Sequence, residues 1–163
     1  MGNPNQLDEL DISILEHLSR DGRRAFSDIA RQLGVSHTTI HKRYDKMKAK
    51  NGLKIASWID PHQVGLMAIA ILRMVVETRH LEASAARISE FPEVTWVAKL
   101  TGEFNLMADL ACVSMDHLRS LLEDRVARIE GIQQTDVAIY LRYYKSDVVP
   151  DVRLLRQIAQ SNG

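Results

Sequence analysis

One segment of the chain, from Ser36 to Lys46, concentrates side chains that form hydrogen bonds or carry positive charge. Threonine offers a methyl or hydroxyl group to DNA base edges, and lysine or histidine donates to N7 and O6 of guanine. The side chains assigned to base edges are His37, Thr38, His41 and Lys42. Those assigned to backbone phosphates are Arg23, Ser36, Arg43 and Lys46. The pattern predicts binding to double-stranded DNA, and the alternative for each residue is an ordinary solvated side chain.

The charge distribution also favours a polyanionic partner, although the formal net charge of the 163 residues is zero. From Arg20 to Lys54 the chain has ten Lys or Arg residues against three Asp, a segment charge of +7. Such a local excess is typical of nucleic-acid binding. A solvated basic surface is the alternative that charge alone leaves open.

No catalytic constellation is evident in the sequence. The six histidines are scattered, and Cys112, the only cysteine, lies among apolar residues. His37 and His41 have the i, i+4 spacing that can hold a metal ion, but a metalloprotease motif needs glutamate where Thr38 stands. We therefore expect no enzyme activity, no catalytic residue and no metal.

The apolar segments are too short to cross a membrane. The longest, from Leu66 to Leu72, is closed by Arg73 and falls well below the length of a spanning helix. The first six residues are polar and do not resemble a signal peptide. Because a lone cysteine forms no intrachain disulfide, we expect a soluble cytoplasmic protein without membrane contacts.

Three helices position the basic segment. Asp8 and Asp11 have the spacing of a cap at the start of the first helix, and Leu7 and Ile12 that of a hydrophobic staple. The second helix starts near Ser27, and the third runs from Ser36 to about residue 50. Between the second and third stand Ala30, three residues, then Gly34-Val35-Ser36, the spacing of a helix-turn-helix. Residues 1–52 are thus predicted to form a DNA-binding helix-turn-helix domain.

The remainder of the chain predicts a second domain. Residues 53–65 are predicted to form a hinge strand, Leu53 to Ile59, and a linker. Residues 66–145 show the order βαββαβ, which is that of a ferredoxin-like α+β fold with both helices on one face of an antiparallel sheet. The predicted elements are strands 66–76, 94–100, 105–113 and 133–144, and helices 80–91 and 115–129. The tail, 146–163, is predicted to add a short helix from Asp151 to Gln160.

Two predicted strands are apolar on both faces. The residues from Leu66 to Leu72, and most of those from Val137 to Leu141, are apolar at both odd and even positions. Strands of this kind need cover on both faces, and two helices cover only one. We therefore expect a homodimer formed through the other face, whose two-fold symmetry suits a palindromic DNA site.

These motifs together resemble the Lrp/AsnC family of bacterial and archaeal regulators, from Leu7 to about Tyr144. The matching segments are Leu7-Asp8-x-x-Asp11-x-x-Ile14-Leu15, Asp21-Gly22-Arg23, Ile29-Ala30-x-x-Leu33-Gly34-Val35-Ser36, Arg43, Asp60-Pro61 with Gly65, Thr101-Gly102-Glu103-Phe104-Asn105, and Ile129-x-Gly131-Ile132.

The resemblance implies a winged helix-turn-helix joined to a ligand-sensing domain. It implies sequence-specific transcriptional regulation of amino-acid or related metabolism, and dimers that assemble into tetramers or octamers. It also implies a small-molecule effector, an amino acid or similar metabolite, bound between dimers, and no other cofactor. By position, the effector residues are Thr101, Gly102, Glu103 and Asn105, with Gln134 and Thr135 from a neighbouring loop. The family usually has aspartate at the position of Asn105, and an amide does not carry the negative charge that pairs with an ammonium group.

Other interpretations remain open at this point. Thr101-Gly102 is alternatively a simple tight turn. An architectural DNA-binding protein without an effector would show the same basic segment and the same self-association. Some siroheme decarboxylases resemble this arrangement overall, but a remnant helix-turn-helix has no reason to keep a charge of +7.

Overall fold

Helix α1 (Glu9–Arg20) begins at a reciprocal pair of aspartates. The Asp8 carboxylate accepts the Asp11 N–H at 2.9 Å, and the Asp11 carboxylate accepts the Asp8 N–H at 3.3 Å. Each bond satisfies a donor that has no partner within the helix. The predicted cap is confirmed.

Helices α2 (Phe26–Leu33) and α3 (His37–Asn51) are joined by the predicted turn. Gly34 has a φ of 67°, a left-handed conformation that glycine adopts without strain. The Val35 N–H then donates to the Ala30 carbonyl, and the Ser36 hydroxyl accepts the Thr39 N–H, both at 3.0 Å. The buried core of the three helices consists of Ile14, Leu18, Ile29, Ala30, Ile40 and Met47.

The computed structural model describes residues 7–57, 59–144 and 152–161. The chain forms two units, Met1–Ser57 with Lys145–Gly163, and Trp58–Tyr144. A short C-terminal helix, α6 (Val152–Ser161), belongs to the first unit, and its side chains are described for residues 153–157. Asp151, the first residue of the predicted tail helix, and the preceding tail residues 146–150 lie outside the described residues. No helix in the described part of the chain is long and apolar enough to cross a membrane.

The predicted hinge strand is wrong. Residues 53–57 and 59 have no regular secondary structure, and a 3₁₀ turn, Pro61–Val64, follows Asp60. A strand requires a neighbouring strand for its backbone hydrogen bonds, and these residues belong to no ladder of the sheet. Among the residues that the structure describes, this segment therefore forms no wing.

The second unit contains a four-stranded antiparallel sheet, which confirms the predicted order βαββαβ. Its elements are β1 (Ala68–Val76), α4 (Leu81–Ser89), β2 (Val94–Lys99), β3 (Leu106–Cys112), α5 (Met115–Ser120) and β4 (Ile132–Ile139). The strands lie in the order β2-β3-β1-β4. The core against the helices is built from alternate strand residues, including Ala70, Leu72, Met74, Ala108 and Leu110, and from Leu81, Ile88 and Leu118.

The second predicted helix of this unit changes its winding along its length. After α5 the chain forms a π turn, Leu121–Arg125, and a 3₁₀ turn, Val126–Arg128. A π turn contains more residues than an α turn, so it rotates the apolar stripe. As a result Leu121 is buried while Leu122, which the helical spacing predicts as a core residue, is half-buried.

Strand β4 ends earlier than predicted, at Ile139 rather than near Tyr144. Ile139 pairs with Ala70, close to the start of β1 at Ala68. One more backbone bond follows, from the Tyr140 N–H to the Ile69 carbonyl at 2.9 Å. β4 ends there because it has reached the first residues of β1, its antiparallel neighbour.

Candidate DNA interface and effector loop

The first turns of α3 expose the side chains that the sequence assigns to base edges. His37, Thr38, His41 and Lys42 are all exposed. The rings of His37 and His41 meet edge to face with centroids 4.6 Å apart, and His41 also packs on Phe26 at 4.8 Å. The two histidines are thereby held by ring contacts, while Thr38 and Lys42 project from the same end of the helix. These four side chains define the α3 reading face.

Arg43, one of the predicted phosphate contacts, is engaged inside the protein. Its guanidinium donates to the Asp8 carboxylate and, at 3.2 Å, to Asp11 Oδ1. The Asp11 side chain is only 1% exposed, so its charge depends on these partners. Lys46 Nζ, the next cation along the helix, lies 3.8 Å from Asp11 Oδ2 and remains partly exposed. Arg43 therefore fastens α3 to α1.

The pKa values at this junction are consistent with a strong ion pair. Burial alone raises the pKa of Asp8, but the Asp11 N–H and the Arg43 guanidinium outweigh burial, and the net pKa is lowered. The hydrogen bond to Asp8 raises the pKa of Arg43. The sequence missed this role of Asp11, although its spacing to Ile14 and Leu18 places it on the buried stripe of α1 and gave a signal.

Ser36 and Arg23 are the other predicted phosphate contacts; Ser36 lies in the turn between α2 and α3, and Arg23 lies between α1 and α2. The Ser36 hydroxyl caps α3 and lies 2.8 Å from the Thr39 hydroxyl. Arg23 is exposed just after α1, where the Asp21 carboxylate accepts its backbone N–H at 2.9 Å. Phosphate binding by Arg23, Ser36 and Lys46 stays a prediction.

The predicted effector loop is a tight exposed turn between β2 and β3. Thr101, Gly102 and Glu103 are all exposed, and Gly102 has a φ of 112°. The loop is closed at its base by the Leu100 N–H, which donates to the Asn105 carbonyl at 2.9 Å. It presents one carboxylate, that of Glu103, and an unobstructed backbone at Gly102.

Asn105 has a structural partner that the sequence did not reveal. Its Nδ2 donates to the Val76 carbonyl at 2.7 Å, and its Oδ1 accepts the Val76 N–H at 2.8 Å. The Asn105 N–H itself donates to the Met74 carbonyl at 3.0 Å. The carboxamide thus continues the β3–β1 ladder where β3 has turned into the loop.

Gln134 and Thr135 are exposed on β4, on the far side of β1 from the loop. They pair with Val75 and Met74, whereas β3 pairs with the other edge of β1. Two strand spacings separate β4 from β3, about 10 Å. Successive strand residues point to opposite faces, so these two side chains do not share a face of the sheet.

The sheet face away from the helices mixes apolar and polar groups. The apolar residues on this face include Ile69, Ile71, Trp96, Met107, Ala111 and Ala138. Arg73 pairs with Asp136 and lies 5.0 Å from the ring of Phe104 in the effector loop. The Tyr140 hydroxyl donates to Asp109 Oδ1 at 3.3 Å, and Tyr140 stacks on Tyr143 with centroids 4.9 Å apart. Burial raises the pKa of Asp109, and burial with the Asp109 charge raises the pKa of Tyr140 to about 12.

Comparison with known families gives two matches that together span most of the chain. The AsnC-type helix-turn-helix domain matches residues 7–48, and the Lrp/AsnC ligand binding domain matches residues 69–150. An uncharacterized HTH-type transcriptional regulator of Pyrococcus furiosus is 37% identical over 82% of this chain and 90% of its own length. The regulatory protein AsnC of Escherichia coli is 32% identical over 83% of this chain and 91% of its own length.

Solved structures show the same fold. The structure of E. coli AsnC has a TM-score of 0.79 at 29% identity and covers 88% of this chain and 97% of its own. The transcriptional regulator NMB0573 of Neisseria meningitidis, solved as a complex with L-methionine, has a TM-score of 0.82 at 22% identity, covering 92% and 99%.

Proposed function

Since this chain belongs to the Lrp/AsnC family of transcriptional regulators, we propose that it reads a specific DNA sequence through the α3 reading face. The observation that carries the proposal is that α3 exposes one set of polar side chains and is anchored to α1 by another. Its first turns expose His37, Thr38, His41 and Lys42, while Arg43 fastens the helix to Asp8 and Asp11. A reading helix must be held rigidly, because base contacts discriminate only when their geometry is fixed.

We propose an amino acid or related metabolite as the effector. The family model describes residues 69–150 as a ligand-binding domain, and the N. meningitidis regulator of the same fold binds L-methionine. In this chain the exposed Glu103 carboxylate suits an ammonium group, and the backbone at Gly102 suits a close approach by a carboxylate. Asn105 acts through Val76 to hold the loop rather than by charge, and Gln134 and Thr135 approach from β4 rather than from a neighbouring loop.

We also propose a homodimer in the cytoplasm, without enzymatic activity, that assembles further into tetramers or octamers. The sheet face bearing Ile71 and Met107, both only partly buried in the single chain, supports the dimer, because apolar strands with one face free from helices need a second cover. A two-fold axis presents two reading faces to the halves of a palindromic site.

Fluorescence anisotropy on labelled DNA from the gene's own upstream region tests the DNA proposal. We expect binding that withstands a roughly 10³-fold excess of scrambled competitor at fixed salt. Lys42→Ala should weaken specific binding, whereas Arg119→Ala, which removes the same charge from α5, should not. If the scrambled competitor abolishes binding to the labelled DNA, the protein is an architectural DNA-binding protein. If no binding occurs even at low salt, DNA recognition is refuted.

Isothermal titration calorimetry with the twenty amino acids tests the effector proposal separately. We expect heat from at least one, and a matched loss of that heat in Glu103→Gln. A protein that binds DNA specifically but gives no heat with any amino acid would refute the amino-acid class while leaving the regulator intact.

A further inference from the structure

The C-terminal helix α6 lies against the outer face of α1. Arg156 Nε donates to Glu9 Oε1 at 3.1 Å, and its Nη2 donates to Glu16 Oε2 at 2.9 Å. Glu9 and Glu16 are seven residues apart, so they stand on one face of the helix two turns from each other. One guanidinium on α6 therefore bridges two turns of α1.

Ile12 lies between those two glutamates on the same face of α1 and is 0% exposed. Among the described residues it is not a member of the buried cluster that joins α1, α2 and α3. We infer that α6 covers Ile12, because Arg156 contacts the glutamates on either side of it, and Leu155 of α6 is half-buried while Leu154 is exposed. Partly exposed ion pairs contribute little energy, so the cover over Ile12 provides most of the stability and Arg156 provides the register. Reversing the charge of Arg156 does more than remove the pairs, because it places a third carboxylate beside Glu9 and Glu16.

The chain order gives this contact a consequence. The chain leaves the helix-turn-helix unit after Ser57, forms the whole sheet unit, and returns at Lys145 to place α6 on α1. The matched ligand-binding domain ends at residue 150, so α6 lies beyond both family domains. Two stretches of chain therefore join the helix-turn-helix unit to the sheet unit, one after Ser57 and one before α6.

We propose that α6, docked on α1 of its own chain, is a second tether that restricts the helix-turn-helix unit and sets which operator spacing the protein accepts. The inference rests on the proposed DNA-binding function. A helix-turn-helix unit attached by one flexible linker can bind half-sites at several separations. A unit attached by two stretches of chain can bind half-sites at only a few separations. Because Arg156 pairs with two carboxylates, the docking should weaken at high salt.

Hydrogen exchange of α1 tests the docking without DNA. We expect the amides around Ile12 to exchange at least about 10-fold faster in Arg156→Glu and in a chain ending at Tyr144. The control is Arg119→Glu, an equal charge reversal on α5, which should leave α1 unchanged. Unchanged exchange in Arg156→Glu would overturn the docking even if the truncated chain fails to fold.

Crosslinking identifies which chain supplies the helix. In the variant Glu16→Cys/Arg156→Cys, a short bis-maleimide should join the two positions within one chain, because the native Cys112 is buried and does not compete. A monomer-sized crosslinked band on a denaturing gel supports the proposal. A dimer-sized band would overturn it by assigning α6 to a second copy.

Operator spacing tests the tether. Two half-sites centred about 10 base pairs apart, then moved apart one base pair at a time, should show a sharp preference in the unmodified protein. We expect Arg156→Glu to reduce the ratio between best and next-best spacing at least about 10-fold. An unchanged preference in a variant whose α1 exchanges faster would refute the tether. If the unmodified protein binds no DNA, the proposed function fails, while the exchange result still decides the docking.

Discussion

Asn105 and Val76 are joined by two hydrogen bonds, from Nδ2 to the Val76 carbonyl at 2.7 Å and from the Val76 N–H to Oδ1 at 2.8 Å. Strand β3 pairs regularly with β1 only as far as Leu106 and Met74. Beyond that pair the Val76 backbone would lose its partners on this side, so the carboxamide takes the place of the missing strand residue. A carboxylate cannot replace it, since it has no proton to donate to the Val76 carbonyl.

We predict that Asn105→Asp lowers the free energy of unfolding by about 1–3 kcal/mol at neutral pH, because a buried carbonyl loses its donor and faces a carboxylate instead. Acidification should restore part of the loss, since the protonated carboxyl group can donate again. Urea unfolding at neutral and acidic pH measures both effects. Gln133→Glu, the same chemical change at an exposed site on β4, is the control. Equal stability of Asn105→Asp and the parent would contradict the assignment.

Arg43 and its neighbour Lys42 should separate stability from DNA recognition. We predict that Arg43→Ala lowers the free energy of unfolding of the helix-turn-helix unit by about 2 kcal/mol, because the buried Asp11 carboxylate loses its main charged partner. Lys42→Ala should stay within about 0.5 kcal/mol of the parent. In Lys42→Ala, the binding free energy for the specific DNA site should become less favourable by about 1–3 kcal/mol. Urea unfolding followed by circular dichroism measures the stability of both variants, and fluorescence anisotropy at fixed salt measures their DNA affinity. A stable Arg43→Ala together with a destabilised Lys42→Ala would contradict our assignments.

Asp109 should impose a pH dependence on stability. Burial raises its pKa above the ordinary value of 3.8, so the folded chain holds this proton more tightly than the unfolded chain does. The stability that Asp109 contributes is therefore fully present below the ordinary pKa and is lost as pH rises through the raised pKa. The Tyr140 phenol, with a pKa of about 12, remains a donor throughout.

We predict that Asp109→Asn removes this fall, because the amide oxygen still accepts from Tyr140 and carries no charge. Thermal unfolding across the acidic range measures the slope. The control is Asp124→Asn, an exposed aspartate that loses the same charge. A slope that survives in Asp109→Asn would assign the pH dependence to another group.

Gly131 has both a left-handed backbone and a close neighbour. A Cβ there would lie 2.3 Å from the His80 Cβ, at a φ of 89°. Gly65 has nearly the same φ, 84°, but no atom within 4 Å of such a Cβ. We predict that Gly65→Ala costs about 1 kcal/mol for the backbone alone, and that Gly131→Ala costs about 1–3 kcal/mol more for the clash. Urea unfolding of the two variants measures the difference; equal losses would show that His80 moves aside freely.

Much of the fold is predictable from the sequence because its signals are local. The aspartate cap of α1, the turn at Gly34, the cap at Ser36 and the order βαββαβ each follow from residue types a few positions apart. The exposed α3 reading face follows from the same periodicity that buries Ile40 and Met47. Local spacing is sufficient there because a helix fixes which side chains share a face.

The tertiary structure alone decided which polar groups meet across the chain. The helical position of Arg43 predicts a surface cation, yet its guanidinium donates to the carboxylate of Asp11, 32 residues earlier. Asn105 is a loop amide in the sequence, yet it completes a ladder with Val76, 29 residues away. The lack of a strand at residues 53–57, the early end of β4 and the docking of α6 on α1 depend likewise on whether a distant segment is present to pair. Sequence spacing fixes the direction of a side chain, but partners are fixed by strand register and helix packing, which only the folded chain contains.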